Sequence, residues 1–328
     1  MKTRTIGDRE VGRIGLGCMG MSFAYGPADE NESLGTLARS LEIGVDHWDT
    51  ADLYGAGENE KLLAKALKGK RDQVFLATKF VNVYDRALTT HQDQVQAGAQ
   101  WIVDGTPEYA RKSIDLSLGR LEVDHVDLWY AHRVDPLVPI EETVGAMAEA
   151  VQAGKTKAIG LSEASADTIR RAHQVHPIAA VQSELSLWTR EYLDDVVPLC
   201  ERLGIAFVAY SPLGRGFLAG IKKEDLAESD WRNQAERFAN EANEKIADAV
   251  KAIADRIGAT PAQVALAWDL AQNEKVHVIP GTRKSRRLEE NAAADALELS
   301  PEILAELNAI PPAEGARYPE GSMKFVNG

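Results

Sequence analysis

The sequence predicts a (β/α)8 barrel, on three observations. Short β-rich runs alternate with longer helical patterns along the chain. Eight such runs fall within 328 residues, which is the arithmetic of a barrel with a helix after each strand. No Pro/Gly/Ser-rich linker and no low-complexity segment divides the chain, so one domain spanning 1–328 is expected. A doubly wound sheet is the alternative reading of the same alternation.

In chain order, the predicted strands are RIGLG (13–17), VDHWD (45–49), VFLATK (74–79), VDLWYAH (126–132), KAIGLS (157–162), AAVQSE (179–184), AFVAYS (206–211) and VHVIP (276–280). Between them lie the helical patterns ENEKLLAKALKG, TPEYARKSIDLSLGRL, IEETVGAMAEAVQAG and REYLDDVVPLCERLG. Thr106-Pro107 opens one of these, and Gly154 and Gly204 close two others, as helix-start and helix-stop chemistry requires. The stretch 213–240 is long and polar and contains Trp231, so it is expected to be an extended loop over one barrel face. GLGCMG (Gly15–Gly20) fits the spacing of a dinucleotide-binding turn. MSFAYGPADEN follows it, however, where such a turn needs an immediate helix, so we expect a turn at the barrel mouth instead.

Bulk properties narrow the function. Hydrophobic residues make up 45% of the chain, enough for a large core, and charged residues 27%. Fifty acidic residues against 37 basic give a formal charge of -13, which argues against nucleic acid or an anionic membrane as a main partner. Cys18 and Cys200 make neither a disulfide framework nor a metal pair, which suits a reducing, cytoplasmic setting. The N-terminus has scattered charges and no apolar signal core, and no apolar run is long enough to span a bilayer.

A barrel should carry its chemistry at the C-terminal ends of its strands. There DTADLYG offers Asp49 and Tyr54, ATKF offers Lys79, and WYAHRVD offers His132. Together they suggest proton transfer to a developing alkoxide. A tyrosine is too weak an acid at neutral pH, but an ammonium about 4 Å away contributes roughly 4 kcal/mol at an effective dielectric of about 20. That predicts a phenol pKa lowered by up to about three units, with Asp49 offsetting part of the pull. Histidine could donate to the substrate oxygen.

GVDHWDTADLYG, ATKF, LWYAHRVD, GLSEAS, VQSELSLWTR, AYSPLGRGFL and IPGTRKSRRLEEN, in this order, resemble the aldo-keto reductase superfamily from about Ile14 to Asn291. GLGCMGMS, HRVDP, GLSEAS and SLWTRE are similar to the branch of perakine reductase and the auxin-induced-like reductases. The resemblance implies a (β/α)8 barrel, NADPH across its mouth, reduction of a small aldehyde or ketone, and a catalytic tetrad of Asp49, Tyr54, Lys79 and His132. It further implies that Tyr210 stacks under the nicotinamide while Ser162, Gln182 and Glu163 face the carboxamide. Glu163 stands where many members have Asn, and a carboxylate accepts but cannot donate. Met19, Asp49, Ser211, Leu213 and Arg215 are also implied as cofactor contacts.

TRKSRR raises its own question, because cations at a helix start are unfavourable by several tenths of a kcal/mol each. They become sensible if an anion sits among them. The resemblance puts the adenosine 2′-phosphate here, held by Arg283 and Arg287 with Gly281 and Thr282, and the adenine against Glu290 and Asn291. No metal site is expected: His173 and His176 have helical ligand spacing but no third ligand. Trp101, Trp188, Trp231, Phe80 and Tyr84 are candidates to line an apolar substrate pocket. Two other functions fit the same residues: a Schiff-base aldolase using Lys79, and a redox-sensing binding module like the potassium-channel β-subunits.

Overall fold

A computed structural model describes residues 1–318 and 326; the rest of the predicted domain, 319–325 and 327–328, lies outside the described residues. The strands are β1 (Thr3–Ile6), β2 (Arg9–Gly12), β3 (Leu16–Gly17), β4 (His47–Asp49), β5 (Phe75–Phe80), β6 (Val126–Ala131), β7 (Thr156–Ser162), β8 (Ile178–Glu184), β9 (Ala206–Tyr210) and β10 (Val276–Val278). Strands β3 to β10 form one parallel sheet in sequential order. Bridges Ile14–Val278 and Gly17–Gly281 join its two edges, closing the barrel. Glycine is needed at this seam: a Cβ on Gly17 would stand 2.8 Å from the Ile279 carbonyl oxygen.

All eight predicted strands are present, within a few residues of their expected bounds. The antiparallel hairpin β1–β2 was not anticipated from the sequence. Its Ile6 and Val11 pack with Phe75, Leu128, Tyr130 and Val208 in the interior cluster of the barrel. A larger cluster between the sheet and the surrounding helices includes Trp48, Trp129, Met147 and Trp268. His47 and His277 are also fully buried, and burial lowers the pKa of each to about 3, so both are neutral.

The helix starts follow their caps. Thr106 accepts from the Tyr109 N–H with Pro107 in the first turn, and the helix runs Pro107–Leu121. Two expectations change. REYLDDVVPLCERLG is not one helix but a 3-10 turn, Glu191–Leu193, followed by a helix at Val196–Leu203. Asp195 separates them, with backbone outside the helical region and a side chain capping the Val196 N–H. Nor is 213–240 a plain loop: it holds 3-10 turns at Gly214–Ala219, Lys223–Asp225 and Trp231–Gln234, then a short helix at Glu236–Ala239.

Candidate active site

Asp49 ends β4, and the segment after it carries Tyr54. Asn59, fully buried, fixes that segment. Its Oδ1 accepts from Thr50 Oγ1 at 2.6 Å, and its Nδ2 donates to Cys18 O and Ser22 Oγ at 2.9 Å each. Behind it, Glu60 accepts from Thr78 Oγ1 and Arg120 Nε, both at 2.6 Å. Gly57, with φ of +87°, lets Arg120 through: a Cβ there would meet Arg120 Cδ at 2.5 Å. Sequence reading missed Asn59 and Glu60, although YGAGENE placed both one turn beyond Tyr54.

The four strand-end groups come together. Lys79 Nζ, with no exposed surface, donates to Asp49 Oδ1, to Thr50 O at 2.9 Å and to Tyr54 Oη at 3.4 Å. The His132 and Tyr54 rings meet edge-on, with centroids 5.8 Å apart. Burial, then Lys79 and Arg133, hold the His132 pKa well below its usual value, so the imidazole is neutral. The expected lowering at Tyr54 is not what the protein produces. Burial and the Asp49 charge push this phenol well above its ordinary pKa. The reason is that Lys79 is already paired: its field reaches Tyr54 as that of an ion pair, and desolvation dominates.

Around this core, Ser162, Gln182 and Tyr210 stand at the ends of β7, β8 and β9. Gln182 Nε2 donates to Asp49 Oδ2 at 2.8 Å, so the Asp49 carboxylate is held on both oxygens. Glu163 is also fully engaged. Its Oε1 accepts from Glu184 N at 3.0 Å, and its Oε2 from Tyr192 Oη and Arg317 Nη2 at 2.7 Å each. Burial opposes its ionisation, yet Arg317 and Arg133 prevail and hold the carboxyl below the usual range. Arg215 pairs with Glu184 at 3.3 Å, its guanidinium within 4.4 Å of the Trp231 ring centroid and 4.6 Å of the Tyr318 centroid. The tip of Tyr210 meets that of Tyr318, their hydroxyls 2.8 Å apart. Arg317 and Tyr318 escaped sequence reading because nothing local marks a tail as returning to the barrel mouth. Met19 lies half-buried in a 3-10 turn after β3, not at a helix start; Ser211 and Leu213 are half-buried beyond β9.

Across the seam, the TRKSRR segment leads into the helix Ser285–Ala293. Its N-cap, Lys284, makes no side-chain cap, and no acidic residue lies in its first turn. Thr282 Oγ1 accepts from Lys284 N at 3.1 Å. Among the described residues, Arg283, Lys284, Arg286 and Arg287 form no ion pair, and Arg283 makes only 3.4 Å contacts to the carbonyls of Gly20 and Tyr25. An uncapped helix start flanked by uncompensated cations fits a phosphate. Asn291 is buried one turn further on, with Glu290 half-buried beside it.

Of the pocket candidates, Phe80 and Trp188 are buried core residues and Tyr84 stacks under Arg120, whereas Trp101 is exposed. Phe23, unremarked in the sequence, stacks on Tyr54 at 6.2 Å and is 40% exposed. His173 accepts from the Ile178 N–H at 3.1 Å. His91, Asp104 and Asp135 converge, but Asp104 accepts from Thr89, Thr90 and Thr106, and Asp135 from Gly105, Leu137 and His91. That set pins the segment between β5 and the Pro107–Leu121 helix. Among the described residues, no helix is long and apolar enough to cross a membrane.

Comparisons with known proteins bear on the family and the fold. A family profile described as "Aldo/keto reductase family" matches residues 13–311. "Probable aldo-keto reductase 1" of Glycine max is 44% identical, over 97% of this chain and 92% of the relative. "Aldo-keto reductase yakc [NADP(+)]" of Schizosaccharomyces pombe is 40% identical, over 98% and 95%. Among solved structures, the glycerol dehydrogenase AKR11B4 of Gluconobacter oxydans superposes with a TM-score of 0.82 at 25% identity, covering 100% of this chain and 97% of that one. The thermostable aldo-keto reductase Tm1743 gives 0.75 at 28% identity, over 95% and 100%.

Proposed function

The chain belongs to the aldo/keto reductase family, and from that premise we propose that it is an NADPH-dependent oxidoreductase reducing an aldehyde or ketone to the alcohol, with Tyr54 as general acid. The observation that carries this reading is the buried set in which Lys79 Nζ meets Asp49, Thr50 O and Tyr54 Oη beside the neutral His132. NADPH as cofactor is supported by the NADP(+) in the name of the Schizosaccharomyces pombe relative and by the uncompensated cations at Arg283 and Arg287. When bound, it supplies the hydride.

The chain's own residues then have separate tasks. Tyr54 stays protonated because its pKa is high, and it gives its proton to the substrate oxygen as that oxygen becomes alkoxide, a far stronger base than phenolate. Lys79 stands 3.4 Å from the oxygen that becomes negative and stabilises it, while Asp49 and Gln182 keep the lysine oriented. His132 donates one N–H to the carbonyl and so orients it. Tyr210 offers a ring face for the nicotinamide; Ser162 and the Gln182 carbonyl oxygen are left to meet the carboxamide. Thr282, Gly281, Arg283 and Arg287 hold the 2′-phosphate, Glu290 and Asn291 the adenine, and Met19, Ser211, Leu213 and Arg215 the middle of the cofactor. Residues 213–240 cover that span.

GLGCMGMS, HRVDP, GLSEAS and SLWTRE support a place in the perakine reductase and auxin-induced-like branch, and the acidic composition and cysteine usage support a cytoplasmic enzyme. A Schiff-base aldolase is disfavoured, since Lys79 donates to three oxygens and has no free lone pair to offer. The test is absorbance of the reduced nicotinamide over a panel of aldehydes and ketones, for wild type and Tyr54→Phe. Sustained NADPH oxidation with one panel member, lowered at least about a hundredfold in the variant, is expected. A single slow cycle would favour a redox-sensing module, and equal rates in both proteins would remove Tyr54 as the acid.

A further inference from the structure

Around the reacting groups the buried charges Lys79, Arg317 and Arg215 are matched in pairs, and Arg133 stands outside those pairs. Lys79 is matched by Asp49, Arg317 by Glu163 and Arg215 by Glu184. Arg133, the residue after His132 at the tip of β6, has no ion pair among the described residues. Its Nη1 donates to the His132 carbonyl at 2.7 Å, which folds the guanidinium back over the strand tip instead of out to solvent. The side chain is half-buried there, with Tyr54, Tyr210 and Tyr318 as neighbours; the Glu163 charge also reaches it, but that carboxylate is already bonded by Arg317, Tyr192 and the Glu184 N–H.

Its place in the barrel limits what it can serve. In the closed order β3 to β10, β6 lies four strands from β10 in either direction, directly across the mouth from the Arg283 segment. An arginine on this side cannot reach an anion bound at that segment. It adjoins the reacting groups instead: the backbone carbonyl it bonds belongs to His132, whose ring edge meets Tyr54. Beside Tyr54, Phe23 provides a stacked and 40% exposed ring face. A planar guanidinium with free donors, on the same side of the mouth as an exposed aromatic face, suits a flat organic anion, because it can hold a carboxylate by two parallel hydrogen bonds.

We propose that Arg133 anchors a carboxylate on the substrate, so that the preferred substrates are aromatic or otherwise planar carbonyl compounds that also carry a carboxylate. This rests on the reductase reading above and names the substrate class for the same site. Arg133 binds the carboxylate while Tyr54 and His132 engage the carbonyl at the other end of the molecule.

The probes are 4-carboxybenzaldehyde and its methyl ester, which share ring and aldehyde and differ in charge. We expect the wild-type enzyme with NADPH to favour the acid over the ester by about tenfold or more in kcat/KM, mostly through KM, the scale of one charge-assisted contact. Arg133→Met should bring the ratio close to one, and Arg133→Lys should restore part of it. A wild-type ratio of one or less, or a ratio kept in Arg133→Met, overturns the anchor. So does a loss of NADPH affinity in Arg133→Met with the ratio intact, which would assign Arg133 to the cofactor. Calorimetric binding of benzoate, which cannot be reduced, separates this from the activity itself. If neither aldehyde is reduced but benzoate binds wild type and not Arg133→Met, the reductase reading fails and the anchor stands. If benzoate fails to bind wild type, or binds both proteins alike, the anchor fails.

Discussion

At the tips of β4 to β6, Lys79 is buried without any exposed surface and its charge is met at once by Asp49, which Gln182 holds in turn. Across the seam beside β10, Arg283, Lys284, Arg286 and Arg287 crowd an uncapped helix start with no ion pair among the described residues. In the first region the Lys79 charge is met within the protein by Asp49, Thr50 O and Tyr54 Oη, and the geometry is fixed before anything binds. In the second no carboxylate meets the cations among the described residues, and Arg283 has only 3.4 Å contacts to the carbonyls of Gly20 and Tyr25. Buried charge is tolerated only when paired, so the first arrangement suits chemistry that needs a fixed field. Solvated like charges are cheap to keep and costly to crowd, so the second suits capture of an anion from solution.

The largest effect should come from unmatching the first region. Lys79→Met leaves Asp49 buried with Gln182 as its remaining partner, and such an uncompensated charge costs about 3–5 kcal/mol. A lowered Tm together with loss of turnover is expected; unchanged thermal stability would mean that the pair is not held as described. His132→Ala comes next, because it removes the donor proposed to orient the carbonyl while touching nothing on the β10 side. We expect the single-turnover rate to fall by about two orders of magnitude with NADPH affinity nearly kept. The reverse pattern would move His132 to the cofactor.

The second region should respond in binding alone. NADPH should bind wild type about ten- to a hundredfold more tightly than NADH, and Arg283→Ala should erase most of that preference, since a charge-assisted hydrogen bond contributes about 1.5–3 kcal/mol. Raising the salt concentration should weaken NADPH binding and leave the rate of bound enzyme unchanged, because exposed cations are screened and the buried pair is not.

A smaller effect lies beneath both regions, at the other end of the barrel. His47 and His277 are held neutral with pKa values near 3, so the unfolded chain binds more protons than the native one between about pH 3 and 6.5. Their stabilising contribution is complete above that window and is lost as pH falls through it, by about 2 kcal/mol per histidine between pH 7 and 5. Urea midpoints at the two pH values should differ less in His47→Asn than in wild type. An equal difference would place the acid sensitivity elsewhere.

The two regions were unequally legible in the sequence. The eight strands could be read because each is a short apolar run between breakers, and the four strand-end groups because a barrel fixes which end of each strand matters. The Tyr54 pKa could not be read: its direction depends on whether Lys79 is free or paired, and pairing appears only when β4 and β5 lie side by side. The partners of Glu163 were hidden for a related reason, since Arg317 lies 154 residues away. The β1–β2 hairpin was hidden by its shortness, two four-residue strands around Gly7-Asp8. At the β10 side the anomaly itself was the signal, because a basic helix start conflicts with the helix dipole without any tertiary information.

If chemistry belongs to the matched region and cofactor capture to the unmatched one, substitutions in the two should separate rate from affinity. Stopped-flow measurement of NADPH binding and of the single-turnover reduction rate, on Tyr54→Phe and Arg283→Ala side by side, reads both quantities. Tyr54→Phe should keep wild-type NADPH affinity and lose at least about a hundredfold in the reduction rate. Arg283→Ala should lose about tenfold or more in affinity and, at saturating NADPH, reduce at the wild-type rate. If either variant changed both quantities together, or if Arg283→Ala bound NADPH as tightly as wild type, the division of labour between the two regions would be wrong.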